Sequence, residues 1–175
     1  MVFGGDRRLG TLDRRLGEKS LRVTLSGDAP LNILVENMGR INFGPKLLDG
    51  RKGITDRVTL DGAIVSGWTM FKLPLKDVAG MRFARTAVRS PAFHRGSFTL
   101  TDLGDTFLDM RGWGKGCVWV NGRNLGRHWR IGPRRSLFCP GVWLRKGVNE
   151  IVVLEMEDPP DPQQRGPERP GVEQC

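Results

Sequence analysis

Short runs of alternating apolar and polar residues dominate this chain. Leu21-Arg22-Val23-Thr24-Leu25 and Trp68-Thr69-Met70-Phe71-Lys72-Leu73 follow a period of two, the mark of a half-buried strand. Leu31-Asn32-Ile33-Leu34-Val35-Glu36-Asn37 is apolar on successive residues, which predicts a strand covered on both faces. Shorter apolar pieces predict strands at Val2-Phe3, Leu9 to Leu12, Ile54 to Leu60, Ala63 to Val65, Ser97 to Leu100 and Thr106 to Met110. Cys117 to Val120, Ser136 to Cys139 and Ile151 to Glu155 extend the series. Gly4-Gly5-Asp6, Asp61-Gly62 and Asn121-Gly122 supply hairpin turns between them. Only residues 74–90 differ: Leu75, Val78, Ala79 and Met81 or Arg82 could line one face of a short helix weakened by Gly80, and this stretch reads as a connector. The pattern predicts an all-β fold.

A repeat organises these strands. Shifting the chain by 116 residues sets Arg7, Leu9, Gly10 and Arg14 on Arg123, Leu125, Gly126 and Arg130. Downstream, Ile33 follows Leu9 and Ile151 follows Leu125 at comparable distances, each opening an apolar strand that ends in a carboxylate, Glu36 or Glu155. Two related antiparallel sandwiches in tandem account for this best. The expected boundaries are residues 2–67 for a partial first sandwich, 68–89 for the connector and 90–156 for a more complete second one. Residues 157–175, with Asp158-Pro159-Pro160-Asp161-Pro162, read as a disordered tail. The second copy has about thirty residues of strand before the repeat point, so the first is expected to begin in mid-fold.

Composition narrows the function classes. The 175 residues are too few for a (β/α)8 barrel of about 250 residues. Glycine (24) and proline (11) make up a fifth of the chain, in keeping with many short strands. No apolar run is long enough to span a membrane, and the first residues lack a signal-peptide pattern, which leaves no sign of secretion. Cys117, Cys139 and Cys175 are odd in number and form no CxxC pair, so neither a zinc site nor a disulfide framework is indicated. His94 and His128 lack ligands at metal spacing; no metal and no cofactor is expected. Gly112-Trp113-Gly114-Lys115-Gly116 is glycine-rich but fails the phosphate-loop pattern after Lys115. The net charge of +9 suits weak binding of acidic polymers. A specific nucleic-acid module is not indicated, since tyrosine is absent and no RNA- or DNA-binding motif occurs.

The motifs resemble a known family. Leu34-Val35-Glu36-Asn37-Met38-Gly39-Arg40-Ile41-Asn42-Phe43-Gly44 is similar to a stretch of the family 35 β-galactosidases. So are Asp105-Thr106-Phe107-Leu108, Gly112 to Gly116, Val118-Trp119-Val120-Asn121-Gly122, Asn124 to Trp129, Gly132-Pro133 and Leu137 to Pro140. The likeness runs from about Val2 to Glu155 and leans toward the lysosomal β-galactosidase-like group of vertebrates. It implies tandem galactose-binding-like jelly-roll sandwiches that follow a catalytic barrel. In that family two barrel glutamates carry out retaining hydrolysis of terminal β-galactosides. Their motifs are not among those matched, so no catalytic residue is assigned, and this chain alone is expected to be inert. Glu36 and Glu155 fall in different sandwiches and are expected to cap strands or pair with arginines.

The resemblance makes the catalytic barrel the first expected partner, with β-galactoside glycans as the alternative. Trp113 between glycines and Trp129 beside Arg127, His128 and Arg130 read as polar-loop residues suited to a sugar or to the barrel. The candidate contact residues are therefore Trp113, Trp129, Arg127 and His128, while Trp119 inside its apolar strand is expected in the core. A full-length parent would be lysosomal or secreted. Two other readings remain: a free-standing galactoside-binding module, and a fragment without a stable fold whose exposed edges aggregate.

Overall fold

The computed structural model describes residues 1–25, 27–37, 39, 43–84, 89–133 and 135–157, together with the backbone of 172–174. It is an all-β molecule: among the described residues the only helical pieces are single 3-10 turns at Arg14–Leu16, Pro45–Leu47 and Gly141–Trp143. The chain divides into two compact units, Met1–Phe71 and Lys72–Cys175.

The second unit carries the core. Its strands are β6 (Ala92–Leu100), β7 (Thr106–Asp109), β8 (Lys115–Val120), β9 (Arg123–Trp129), β10 (Ser136–Cys139), β11 (Gly147–Glu155) and β12 (Val172–Gln174). They form a four-stranded sheet in the order β6-β11-β8-β9 and a three-stranded sheet in the order β10-β7-β12. All described pairings are antiparallel. Alternation decides which side chains turn inward. Val118, Val120, Ile151 and Val153 of the larger sheet meet Leu108, Leu137 and Cys139 of the smaller in one buried cluster. The residues between them, Trp119 and Val152, are cross-strand partners on the opposite face and are buried as well. Trp119 thus lies in the interior, as expected, with Phe93 6.2 Å away.

The first unit has β1 (Val2–Gly4), β2 (Arg7–Gly10) and β3 (Leu31–Ile33) in the order β2-β1-β3, and a separate hairpin of β4 (Thr59–Leu60) and β5 (Ala63–Ile64). Its ladder reproduces part of the second unit's. Val2, Phe3 and Gly4 pair with Gly10, Arg8 and Arg7, skipping Leu9. Val118, Trp119 and Val120 pair with Gly126, Asn124 and Arg123, skipping Leu125. The same one-residue bulge therefore recurs at a shift of 116. The third strand follows suit, with Gly4 opposite Leu31 and Val120 opposite Ile151. Even the closing hydrogen bond recurs, Gly5 N–H to Pro30 C=O at 2.8 Å and Asn121 N–H to Glu150 C=O at 3.0 Å.

Several expectations change. On the third strand the shift is 120, so Ile151 corresponds to Leu31 rather than Ile33, and Glu155 to Val35 rather than Glu36. The run Leu31–Asn37 is covered on neither face completely, with Val35 exposed. Leu21–Leu25 forms no strand; Leu21 instead lies over the hairpin, where a Cβ on Gly10 would come within 2.6 Å of it. Ile54–Leu60 contributes only Thr59–Leu60, and Trp68–Leu73 forms no strand. The described part of the connector contains no helix; Ala79 N–H is taken by the Asp77 carboxylate and Met81 N–H by the Val78 carbonyl, a turn, with Val78 buried. Of the tail expected to be disordered, Glu157 is described and bonded to Glu155, Val172–Gln174 pairs with β7, and the rest lies outside the described residues.

Candidate functional site

The motif Trp113-Gly114-Lys115-Gly116 opens β8, and its glycines have a steric cause. A Cβ on Gly116 would overlap the carbonyl oxygen of Leu154 on the neighbouring strand. One on Gly114 would stand 2.9 Å from Oε1 of Glu155. This closeness lets the buried Glu155 carboxylate accept three backbone N–H groups, from Gly114 (2.7 Å), Lys115 (2.8 Å) and Glu157 (3.0 Å). A buried carboxylate needs such charge-assisted partners. Glu155 is therefore a backbone clamp and pairs with no arginine in these bonds, while its neighbour Glu157 meets Arg130 at 3.5 Å.

The four candidate residues separate onto two faces. His128 stands opposite Gly116 and is buried on the inner side. Its Nε2 is 3.9 Å from Glu155 Oε2, and neither ring nitrogen has a hydrogen-bond partner among the described residues. Trp113 packs against the core and touches both histidines edge-on, His94 at 5.4 Å and His128 at 6.4 Å between ring centroids. Trp129 and Arg127 lie on the other face, opposite Lys115 and Cys117. There the Lys115 ammonium sits 4.5 Å over the Trp129 ring, a cation–π contact. Trp129 is thus at the end of strand β9 and not in a loop, and His128 is enclosed where an open contact was expected. Arg127 is exposed on the outer face.

A second polar knot fixes the β8–β9 turn. Asn121 and Gly122 both take positive φ, 49° and 77°, as the Asn-Gly signal predicts. The fully buried Asn149 donates to the carbonyls of Arg145 (2.8 Å) and Gly147 (3.1 Å) and accepts from Asn121 Nδ2 (2.8 Å) and Arg145 N–H (3.0 Å). Sequence reasoning missed Asn149; for Glu155 it offered a strand cap or an arginine pair, and the bonds from Gly114 and Lys115 N–H at the start of β8 are of the first kind. The glycines at 114 and 116 were the available signal, since only close backbone approach demands two so near one strand start.

Protonation is displaced at Asp109 and at Cys139. The Arg111 guanidinium bonds both carboxylate oxygens of Asp109 and holds it below the usual carboxylate range, against the opposing effect of partial burial. Burial pushes the Cys139 thiol up, and Asp105 adds to this. Among the described residues no group of three His, Cys, Asp or Glu is placed to hold a metal ion, and no helix is long and apolar enough to cross a membrane.

Comparison with known proteins matches both units. Residues 1–74 fit a family model described as the first all-beta domain of β-galactosidase, and residues 91–149 one described as its galactose-binding domain. A β-galactosidase of Xanthomonas manihotis is 46% identical over 139 residues, covering 78% of this chain and 23% of the relative. Beta-galactosidase-1-like protein 3 of Rattus norvegicus is 37% identical over 163 residues, with 88% and 26% covered. Beta-galactosidase-1-like protein 2 of Homo sapiens is 36% identical over 162 residues, with 88% and 25% covered. The chain spans about a quarter of the length of these relatives.

Proposed function

Since the chain belongs to the β-galactosidase family, through that family's first all-beta and galactose-binding domains, we propose that it works as a non-catalytic β-sandwich region that packs against and supports the catalytic domain of a β-galactosidase-like glycoside hydrolase. The chemistry served would be retaining hydrolysis of terminal β-galactosides, with both catalytic carboxylates supplied by the supported domain. One observation carries this reading. Among the described residues of Met1–Phe71 no side chain is buried, while Phe43, Leu48, Met70 and Phe71 are 89%, 94%, 90% and 83% exposed. Large apolar side chains left exposed on a unit in which no described side chain is buried favour a protein partner.

The Xanthomonas manihotis relative offers the test. Its remaining three-quarters, expressed without the matched region, is mixed with this chain. Association that slows amide exchange around Phe43, Leu48 and Phe71, and that restores cleavage of a chromogenic β-galactoside, is the expected result. The chain alone should cleave none. No association, with unit 1 unprotected, would remove the proposal.

A further inference from the structure

We propose that the outer edge of β6 pairs with the same edge of a second copy of this chain. The two strands run antiparallel about Gly96, so that two four-stranded sheets become one continuous sheet. The proposal is independent of the supporting role above, which draws on the exposed side chains of Met1–Phe71. The two edges of the sheet are built differently. At one, β9 is broken by the bulge at Leu125, carries the exposed Arg123 and Arg127, and has β10 beside it. Bulges, charges and covering segments are the devices that stop an edge strand from pairing further. At the other edge, β6 pairs with β11 through nine residues in unbroken register and contains no proline. Among the described residues no backbone hydrogen bond beyond the β11 ladder reaches it. Alternate N–H and C=O groups of such a strand point away from its one neighbour, ready for a second.

Gly96 marks the point of contact. Glycine inside a strand weakens it and is found at bulges, at bends, or where another backbone comes close. Here the register is regular and φ is not positive. A Cβ would meet only the Ile151 side chain, at an ordinary 3.5 Å. Among the described residues nothing requires glycine at this position, which leaves approach from outside the chain. Residues 95–97 are exposed, as that approach demands.

The side chains select a second copy and its register. Outward groups must meet outward groups, so the two-fold axis passes through a residue and not between two. An axis at Arg95 would set two guanidinium groups face to face, which is destabilising. An axis at Ser97 would bring Arg95 opposite Thr99, whose β11 neighbour is the apolar Val148. With the axis at Gly96, Arg95 stands opposite Ser97 of the second copy, and Ser97 is itself opposite Glu150. The guanidinium then reaches across that small side chain to the Glu150 carboxylate of the second copy, and symmetry repeats the pair. Both groups have capacity for it. The Arg95 guanidinium lies 4.6 Å over the Phe83 ring and makes no hydrogen bond or ion pair among the described residues, and the Glu150 carboxylate has none either. On the inner face His94 meets Phe98 of the second copy, an aromatic cross-strand pair. Because each copy spends its one long unbroken edge, the assembly closes as a dimer.

Sedimentation of the full chain from about 1 to 500 µM tests this, with the near-ultraviolet signal of Trp119 as the check on folding. A monomer–dimer equilibrium is expected, and it should persist in Phe43→Ser. Arg95→Glu should weaken the dimer by about tenfold or more, and the double variant Arg95→Glu/Glu150→Arg should recover it. Gly96→Cys places two thiols on the axis about 5 Å apart, within disulfide reach. Mild oxidation should therefore link it far more than Val148→Cys, whose site is 62% exposed but off the axis. A chain monomeric throughout, a double variant no tighter than Arg95→Glu, equal linking of the two cysteine variants, or a dimer abolished by Phe43→Ser would each overturn the proposal.

Discussion

The two units share a ladder but not a core. The β1–β2–β3 ladder and the β8–β9–β11 ladder have the same pairing, the same bulge and the same closing hydrogen bond. In the second unit that ladder is one side of a sandwich, and Val118, Val120, Ile151 and Val153 are buried against a second sheet. In the first, the equivalent strands hold half-buried and exposed side chains and none that is buried. Strand β10 and the segment Leu21–Leu25 illustrate the difference, since Leu137 and Leu21 correspond at the shift of 116. Leu137 is buried on a strand paired with β7, whereas Leu21 is half-buried on a segment that forms no strand. Backbone pattern alone therefore does not make a core; the opposing layer does.

That contrast can be broken in steps of decreasing size. Gly116→Val drives a side chain into the Leu154 backbone and should cost unit 2 at least about 3 kcal/mol, read as loss of the near-ultraviolet signal of Trp119 in urea. Gly10→Ala in unit 1 meets only the flexible end of Leu21 and should cost about 1 kcal/mol or less. If both behave alike, the difference between the units is misread. Next, Leu108→Ala should lower stability by about 2–5 kcal/mol, against about 0.5 kcal/mol or less for Phe43→Ser, whose main effect should be reduced self-association in light scattering.

Glu155→Gln should cost about 1.5–3 kcal/mol and speed amide exchange at Gly114 and Lys115, whereas Val35→Ala at the matching position of unit 1 should leave exchange unchanged. The smallest effect concerns Asp109. Because Arg111 lowers its protonation range in the fold, the bond's contribution is fully present above the ordinary carboxylate range. It fades as pH falls through the lowered folded value. The urea midpoints of the protein and Asp109→Asn should differ at neutral pH and converge in strong acid; a constant gap would reject the assignment.

Legibility followed burial. Ser136–Cys139 and Thr106–Asp109 were readable as short apolar runs, because Phe107 and Phe138 add apolar character on the outward face to Leu108, Leu137 and Cys139 on the inward one. Strand β9 was not, because Arg123, Asn124 and Arg127 face water along the edge of the sheet and hide its period. The opposite error arose at Trp68–Leu73, where alternation is present but no strand pairs with it. At the site, spacing pointed to the neighbourhood of Trp113 and His128 but could not say which face each would take. That depends on the skipped residue at Leu125, a backbone feature without a hydrophobic signature.

The skipped leucines act as frame markers. Beyond Leu9 in one hairpin and Leu125 in the other, inward and outward positions are exchanged relative to an unbroken ladder, so removing either residue would turn the rest of its strand inside out. Because both hairpins carry the marker at the same step, they are written in one reading frame. Such hairpins share their phase: residues 2–10 could be spliced in place of 118–126 without changing which side chains turn inward, but Gly5 would then stand where Asn121 binds Asn149.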